Sequence, residues 1–374
     1  MTLSEKLVQE MVANGRRISA AKAGDETLGP LSMLPGVWKN TDALHGFGFN
    51  MIALPFAADP NGNGYRLLMN QYDEELHFSI VDKGVPNRGS GFDPATGAPI
   101  VTDQIIVALD YDQKIVQIAA EDSPVSGVAQ KFDGKAIHKE PGLWLYMTNF
   151  ETEVANSPND AKINVARLGT IPHGDSVLAV GSVPDEPFSG FDPRLIPNVN
   201  GVVVGGGVDP NEDDLEPIYF APYKHFHNNP FRGKVSIPGF KGFEPVDMTD
   251  LLRHAVANVL PGEVKKTMRL HVDSTFDHAG VKTLNSAGIV NIPFIVRQAD
   301  AIAMNSTFLI YEVEDSETGQ TRHFMQYVQN VILDFIGRPD GHPGRARWPH
   351  VSINTMERVS DADAESVKLR MLTE

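Results

Sequence analysis

The chain has 374 residues, enough for one large domain or two modest ones, and 41% of them are hydrophobic, as in ordinary globular proteins. Its formal net charge of −16 at pH 7 disfavours nucleic acid and anionic membrane surfaces as partners. There is no cysteine, which excludes disulfides, thiolate metal ligands, iron–sulfur clusters and cysteine nucleophiles.

The N-terminal stretch lacks the continuous apolar core of a secretory signal. No run in the chain reaches the ~20 apolar residues that a membrane-spanning helix needs. Leu3, Leu7 and Met11 fit a short amphipathic helix, so residues 1–30 are predicted to form an N-terminal helical segment. We therefore expect a soluble, cytoplasmic protein without a membrane span.

Residues 31–183 consist mainly of short β-like runs broken by Gly, Pro, Asn and Asp, among them "FGFNMIALPF", "QIIVALDY", "KIVQIAAED" and "GLWLYMTNF". This pattern predicts an antiparallel meander rather than a βαβ series. The "PHGD" stretch predicts a hairpin turn, because Pro172 presets φ and Gly174 tolerates a positive φ.

Residues 184–266 have a different composition, rich in Gly, Pro and acidic residues, and we interpret them as a long irregular insertion on the surface. Near its end, "DMTDLLRHAVANVL" carries apolar residues at helical spacing and predicts one helix. The insertion also holds an "HFH" pair, His225 and His227, which would share one face of a strand. No third metal ligand is indicated, so solvated or hydrogen-bonded histidines are the better interpretation.

Strands resume in residues 267–359, with "TMRLHVDS", "IVNIPFIVR", "STFLIYEVED", "RHFMQYVQNVILDF" and "HVSINTMERV", and residues 360–374 are interpreted as a C-terminal tail. The run that ends at Phe335 would span roughly 40 Å if fully extended, and long tilted strands are typical of barrels. The prediction is a mainly β protein, an antiparallel β-barrel with few helices. A β-sandwich is the alternative.

Common catalytic signatures are absent from the sequence: it contains no HExxH, GxSxG, Walker or dinucleotide fingerprint. The three tryptophans stand where strands open, in "PGVWKN", "PGLWLYM" and "RWPHVS", and the simplest interpretation is that they are packing residues. The last of these stretches also carries His350 just after Pro349. Alternation puts His350, Ser352 and Asn354 on one face of the strand, but it does not settle which face is buried.

Five stretches in order, "LPGVWKNTDALHGFGFN", "IHKEPGLWLYM", "RLGTIPHGDSVLAVGSV", "AIAMNSTFLIYEVED" and "RWPHVSINTMERV", resemble successive strands of the nitrobindin-like haem-binding β-barrels. That family is similar to lipocalins and fatty-acid-binding proteins. The match covers roughly residues 31–183 and 267–359. The Gly-x-Gly that follows the first Trp in the family is displaced here to Gly46 and Gly48, and the insertion is foreign to the compact family.

The resemblance implies haem as the cofactor, with His350 as the proximal ligand to the iron. His173, in the Pro-His-Gly turn, is the candidate for the distal side, and an ordinary solvent-facing turn residue is the equal alternative. A ferric haem in such a barrel would bind NO or isomerise peroxynitrite. An apolar shell around the porphyrin is expected from Trp38, Phe47, Phe49, Trp144, Met147, Phe294 and Met304.

Two other functions stay open at this point. One is a metal-free, lipocalin-like carrier of a fatty acid or another apolar small molecule. The other is an enzyme that acts on an apolar substrate, with His138 and Glu140 as candidate residues. Fold alone does not choose among these classes. In each case a small molecule is the expected partner, and a homodimer is left open.

Overall fold

The computed structural model describes residues 11, 13–93, 95–101, 103–148, 163–184, 186–204, 218–276, 288–338 and 342–361. The strands, in chain order, are β1 (Arg17–Ala20), β2 (Gly36–Lys39), β3 (Gly48–Pro55), β4 (Tyr65–Phe78), β5 (Ile80–Asn87), β6 (Ser90–Phe92), β7 (Pro99–Val101), β8 (Gln104–Ser123), β9 (Ala136–Thr148), β10 (Val165–Ile171), β11 (Asp175–Gly181), β12 (Phe188–Ser189), β13 (Gly262–Asp273), β14 (Ile289–Asn291), β15 (Asp300–Asp315), β16 (Thr321–Gly337) and β17 (Arg345–Ser360).

Helices are short and few in the described ranges. They are α1 (Ala221–Asn228), α2 (Asp250–Asn258) and α3 (Pro293–Gln298), with 3-10 turns at Glu26–Leu31, Asp42–Leu44, Ala129–Phe132, Pro193–Leu195 and Ile218–Phe220. No helix of this part of the chain is both long enough and apolar enough to cross a membrane. The protein is therefore mainly β, as the sequence predicts.

The strand pairings return to the strand from which they start. Strands β8, β9, β10, β11, β13, β15, β16 and β17 pair in that order, β17 pairs with both β2 and β3, and these two pair with β4. Strand β4 then pairs with β8, and every one of these pairings is antiparallel. We call this series of paired strands, which runs from β8 back to β8, the circuit. It gives the sheet an inner and an outer face. As the motif order predicts, the closing strand lies beside the strand of Trp38, which is opposite Arg358.

One junction of the circuit is much weaker than the others. Within the described residues, β11 and β13 share a single register pair, Val180 with Asp273, whereas β10 and β11 share seven. Along the rest of its length β11 pairs with the short strand β14, through Asp175, Ser176 and Val177. The turn between β10 and β11 is the predicted "PHGD" hairpin, with Gly174 at φ +116°.

The insertion covers part of the outer face of the circuit. Phe49 points outward from β3, and its ring lies 6.0 Å from Phe231, 5.6 Å from Phe240 and 5.4 Å from Phe243. The predicted helix is confirmed as α2, and its Leu251, Leu252 and Ala255 are buried in the same cluster. Because β12 and the start of β13 also belong to residues 184–266, this segment is not wholly irregular.

Several predicted boundaries are wrong for local reasons. "QIIVALDY" and "KIVQIAAED" form one strand, β8, because its pairing with β9 runs unbroken from Ile105 to Ile115 while its other neighbour changes from β5 to β4. "IVNIPFIVR" divides into β14 and α3, since Pro293 occupies the start of the helix, where no N–H is needed. In the predicted N-terminal helical segment, residues 17–20 form β1, and Leu3 and Leu7 lie outside the described residues.

Candidate functional site

A cavity of about 400 Å³ lies on the inner face of the circuit, within the size range of small-molecule sites. More than half of its lining residues are aliphatic. The lining residues are Asn50, Ile52, Leu54, Leu68, Asn70, Gln113, Ile115, Ile137, His138, Glu140, Ile171, His173, Asp175, Val177, Ile289, Ile295, Ala299, Ala301, Met304, Tyr327, Gln329, Val331, Leu333, His350 and Ser352.

The inner face has three successive regions. At one end a packed apolar cluster contains Trp38, Trp144, Leu270 and Phe308. The cavity occupies the other end. Between them lies a layer of hydrogen-bonded polar side chains, which we call the polar floor: Glu74, Tyr111, Gln113, Glu140, Arg167, Ser306, Tyr327, Gln329 and Asn354.

A buried ion pair forms one half of the polar floor. Arg167 Nη2 donates to Glu140 Oε1 at 2.9 Å, and Nη1 donates to Gln329 Oε1 at 2.6 Å. Tyr111 also donates to Glu140. Burial alone would raise the pKa of Glu140, but the Arg167 guanidinium and the neighbouring donors lower it to about 2. Gly169 makes this arrangement possible, because a Cβ there would overlap the carboxylate. Glu140 is therefore a fixed anion.

The other half of the polar floor is centred on Glu74. Gln113 Nε2 donates to Glu74 Oε1 at 2.7 Å, and the Tyr327 hydroxyl and Asn354 Nδ2 donate to Oε2 at 2.7 and 3.0 Å. The Tyr72 hydroxyl lies 2.8 Å from that of Tyr327. Burial raises the pKa of Glu74, and the three donors oppose that effect. The carboxylate thus fixes the orientation of the amides around it.

Three imidazoles from distant parts of the chain meet at the cavity. His138 is on β9, His173 is in the β10–β11 turn and His350 is on β17. The ring centroids of His138 and His173 are 6.2 Å apart, and His138 Nε2 lies 3.4 Å from Glu140 Oε2. Burial, reinforced by the other two histidines, lowers the pKa of His350 to about 4. His350 is therefore a neutral imidazole at pH 7.

Three of the predicted site residues line this cavity: His350, His173 and Met304. The face of β17 that carries His350, Ser352 and Asn354 is the inner one, a point that alternation had left open. His173 is exposed at the turn while still bordering the cavity. His138 and Glu140, the residues of the enzyme hypothesis, also lie in the lining.

The predicted aromatic shell does not surround the cavity. Trp38 and Trp144 face inward but belong to the packed cluster at the opposite end. Trp144 is six residues beyond His138 on β9, roughly 20 Å along an extended strand. Alternation fixes the face of a residue and not its depth along the strand, which is why the tryptophans had been expected near the histidines. The interpretation of the tryptophans as packing residues is confirmed, since all three are buried.

The remaining shell residues point elsewhere. Met147 is half-buried and lies three residues after Trp144 on β9. Because successive side chains of a strand alternate between its faces, Met147 lies on the outer face. Phe49 and Phe47 pack in the outer cluster beneath the insertion. Phe294 is 63% exposed on α3, where the neighbouring Ile295 faces the cavity instead. Adjacent residues point in different directions, and on α3 it is Ile295 that turns toward the cavity.

The polar floor was missed by sequence reasoning, although β4 contains a signal for it. In "LLMNQYDEELHF" the polar or amphipathic residues Asn70, Tyr72 and Glu74 recur every second position between Leu68 and Leu76. One strand face therefore changes from apolar to polar and back. Such a pattern indicates a buried hydrogen-bonded layer rather than a solvated face.

The histidines of the insertion form no common site. Both lie on α1, where positions two apart point in different directions. His225 is 3.4 Å from Glu121, and His227 is 2.6 Å from Glu244. Among the residues with a described placement, no group of three or more His, Asp or Glu side chains is arranged to hold a metal ion.

No family model matches the chain, and neither the curated proteins nor the solved structures contain a significant match to it.

Proposed function

We propose that the circuit is a lipocalin-like β-barrel and that the protein binds a small, mostly apolar molecule in its cavity. The observation that carries the proposal is the cavity itself, because one end of the inner face is tightly packed while the other is open and lined by aliphatic side chains. Ligand sites commonly combine an apolar wall with a few convergent polar groups. The polar floor and the three histidines supply those groups.

Binding can be tested with N-phenyl-1-naphthylamine, an uncharged probe whose fluorescence rises in apolar surroundings. We expect saturable binding by the wild-type protein. Val177→Phe, which fills the cavity from β11, should weaken the affinity at least tenfold. Leu178→Phe is the matched control, because Leu178 is the next residue on the same strand and is exposed on the opposite face. Equal affinities for the two variants, or no saturable binding, would contradict the proposal.

Haem is a second candidate ligand, favoured by one observation: a neutral imidazole, His350, stands in the wall of the cavity. A haem needs only one such protein donor, so the lack of a three-ligand cluster in the described ranges does not bear on it. A neutral imidazole in an otherwise mostly apolar wall is a donor that suits haem. If haem binds, His350 would hold the iron, His173 would border the same cavity, and the haem would supply an iron centre for NO or peroxynitrite chemistry.

Haemin titration followed in the Soret band tests this second candidate. We expect a saturable shift in the wild-type protein that His350→Gln abolishes and that His173→Gln leaves largely in place. The fluorescence assay with N-phenyl-1-naphthylamine provides the control, since His350→Gln should keep its affinity for that probe within about threefold. Haemin uptake that is identical in wild type and His350→Gln would remove His350 as the ligand.

A further inference from the structure

The cavity lining contains buried hydrogen-bond acceptors that have no partner. Gln113 is 5% exposed and Asn70 is 3% exposed, and the side-chain oxygens of both, Gln113 Oε1 and Asn70 Oδ1, make no hydrogen bond. Asp175 Oδ1, nearer the β10–β11 turn, is also buried and makes no hydrogen bond. All three residues line the cavity. Buried polar atoms are rarely left unpaired, so each of these oxygens calls for an explanation.

The orientation of the Gln113 amide is determined by its neighbour. Its nitrogen donates to Glu74, whose carboxylate already accepts from Tyr327 and Asn354. A reversed amide would place two acceptors against each other, so the oxygen of Gln113 is held away from Glu74. The Asn70 amide is oriented in a similar way. Its Nδ2 donates to Asn50 Oδ1 at 2.7 Å, and its own oxygen makes no hydrogen bond.

The charges around the cavity disfavour an anion. Glu140 is ionised, and the guanidinium that balances it, Arg167, has its donors directed to Tyr111, Ser306, Gln329 and Glu140 itself. The cavity lining in the described part of the chain contains neither Lys nor Arg. A carboxylate ligand would therefore meet unpaired acceptors, and no Lys or Arg of the described lining would balance its charge.

We propose, on the basis of the proposed function, that the ligand is an uncharged alcohol whose hydroxyl packs against the polar floor and donates to the oxygen of Gln113 or Asn70. A hydroxyl carries one donor and two acceptor lone pairs. It can give its proton to an amide oxygen and still accept from an imidazole N–H. The apolar body of the alcohol then lies against aliphatic lining residues such as Ile52, Leu68 and Val331.

The test compares three ligands of one chain length on the intact wild-type protein at pH 7: 1-decanol, decyl methyl ether and decanoate, each measured by displacement of N-phenyl-1-naphthylamine. We expect 1-decanol to bind about tenfold more tightly than the ether, which lacks the donor, and decanoate to bind most weakly. Equal binding of alcohol and ether, or tightest binding of decanoate, would overturn the inference. If none of the three displaces a bound probe, the inference fails while the proposed function stands. If the probe itself does not bind, the proposed function fails with it.

A pair of variants localises the donor site. Gln113→Met removes the acceptor at nearly constant length and should reduce the preference for alcohol over ether to less than threefold. Gln117→Met is the matched control: Gln117 is equally buried on the same strand but bonds to Ala129 and Asp133 away from the cavity. An unchanged preference in Gln113→Met, with Gln117→Met behaving as wild type, would exclude Gln113 as the acceptor. The ligand series on the wild type decides the ligand class even if Gln113→Met does not fold.

Discussion

The two ends of the inner face use the same strands for different purposes. At the packed end Trp38, Trp144 and Phe308 fill the space, and the Trp144 and Phe308 rings meet edge to face at 5.5 Å. At the other end the same strands leave about 400 Å³ open. Because close packing supplies most of the stabilisation that a core can offer, the packed end stabilises the fold and the open end is available for a ligand. The polar floor separates the two.

The largest expected effect comes from breaking the polar floor. Arg167→Met removes the guanidinium that balances the buried Glu140 carboxylate, and we expect the free energy of unfolding to fall by about 3–5 kcal/mol. Urea denaturation followed by circular dichroism measures it. The double variant Arg167→Met/Glu140→Leu removes both charges and should recover more than half of the loss. A single variant as stable as wild type would mean that the pair contributes nothing to the fold.

A second comparison applies the same substitution at each end of the inner face. Leu270→Ala removes a fully buried side chain from the packed cluster and should lower the free energy of unfolding by about 2–5 kcal/mol. Leu68→Ala enlarges a cavity that already exists, so we expect a loss of about 1 kcal/mol. Urea denaturation midpoints compare the two. Equal losses would show that the two ends are packed alike.

A third comparison concerns the dependence of stability on pH. In the folded protein the pKa of His350 is about 4, below its ordinary value of 6.5, so only the unfolded chain takes up this proton between those values. The free energy of unfolding should therefore fall as the pH is lowered from about 6.5 to about 4, by on the order of 1–3 kcal/mol from His350. His350→Gln should flatten the stability profile measured across this range.

His323 provides the comparison for this experiment. Burial, with the Arg358 guanidinium beside it, also lowers its pKa to about 4, so His323→Gln should flatten the profile in the same direction although His323 is not among the residues that line the cavity. Only His350→Gln should also alter haemin binding. If His350→Gln keeps the full wild-type slope, the imidazole is not held neutral by its surroundings.

Local patterns were sufficient to predict strands, the hairpin turn at Gly174 and helix α2, because each depends on residues close in sequence. These patterns could not predict which residues of distant strands come close together. His138, His173 and His350 meet only because two strands and a turn that are distant in sequence occupy particular places in the circuit. All three had been named from the sequence, but under two separate hypotheses and with no signal that brought them together. The patterns also could not predict how far along the inner face a residue lies. For this reason Trp144 was expected beside the histidines, although it is roughly 20 Å from His138 along β9.

The junction between β11 and β13 has a consequence for the timing of ligand exchange. Among the described residues these two strands share one register pair, so separating them breaks fewer hydrogen bonds than separating fully paired neighbours such as β10 and β11. The neighbouring part of β11, which carries the cavity-lining Asp175 and Val177, pairs instead with the three-residue strand β14. If the cavity holds a ligand as proposed, we expect the ligand to enter and leave on this side of the sheet. Its residence time should then depend on how often this junction opens more than on the depth of the pocket.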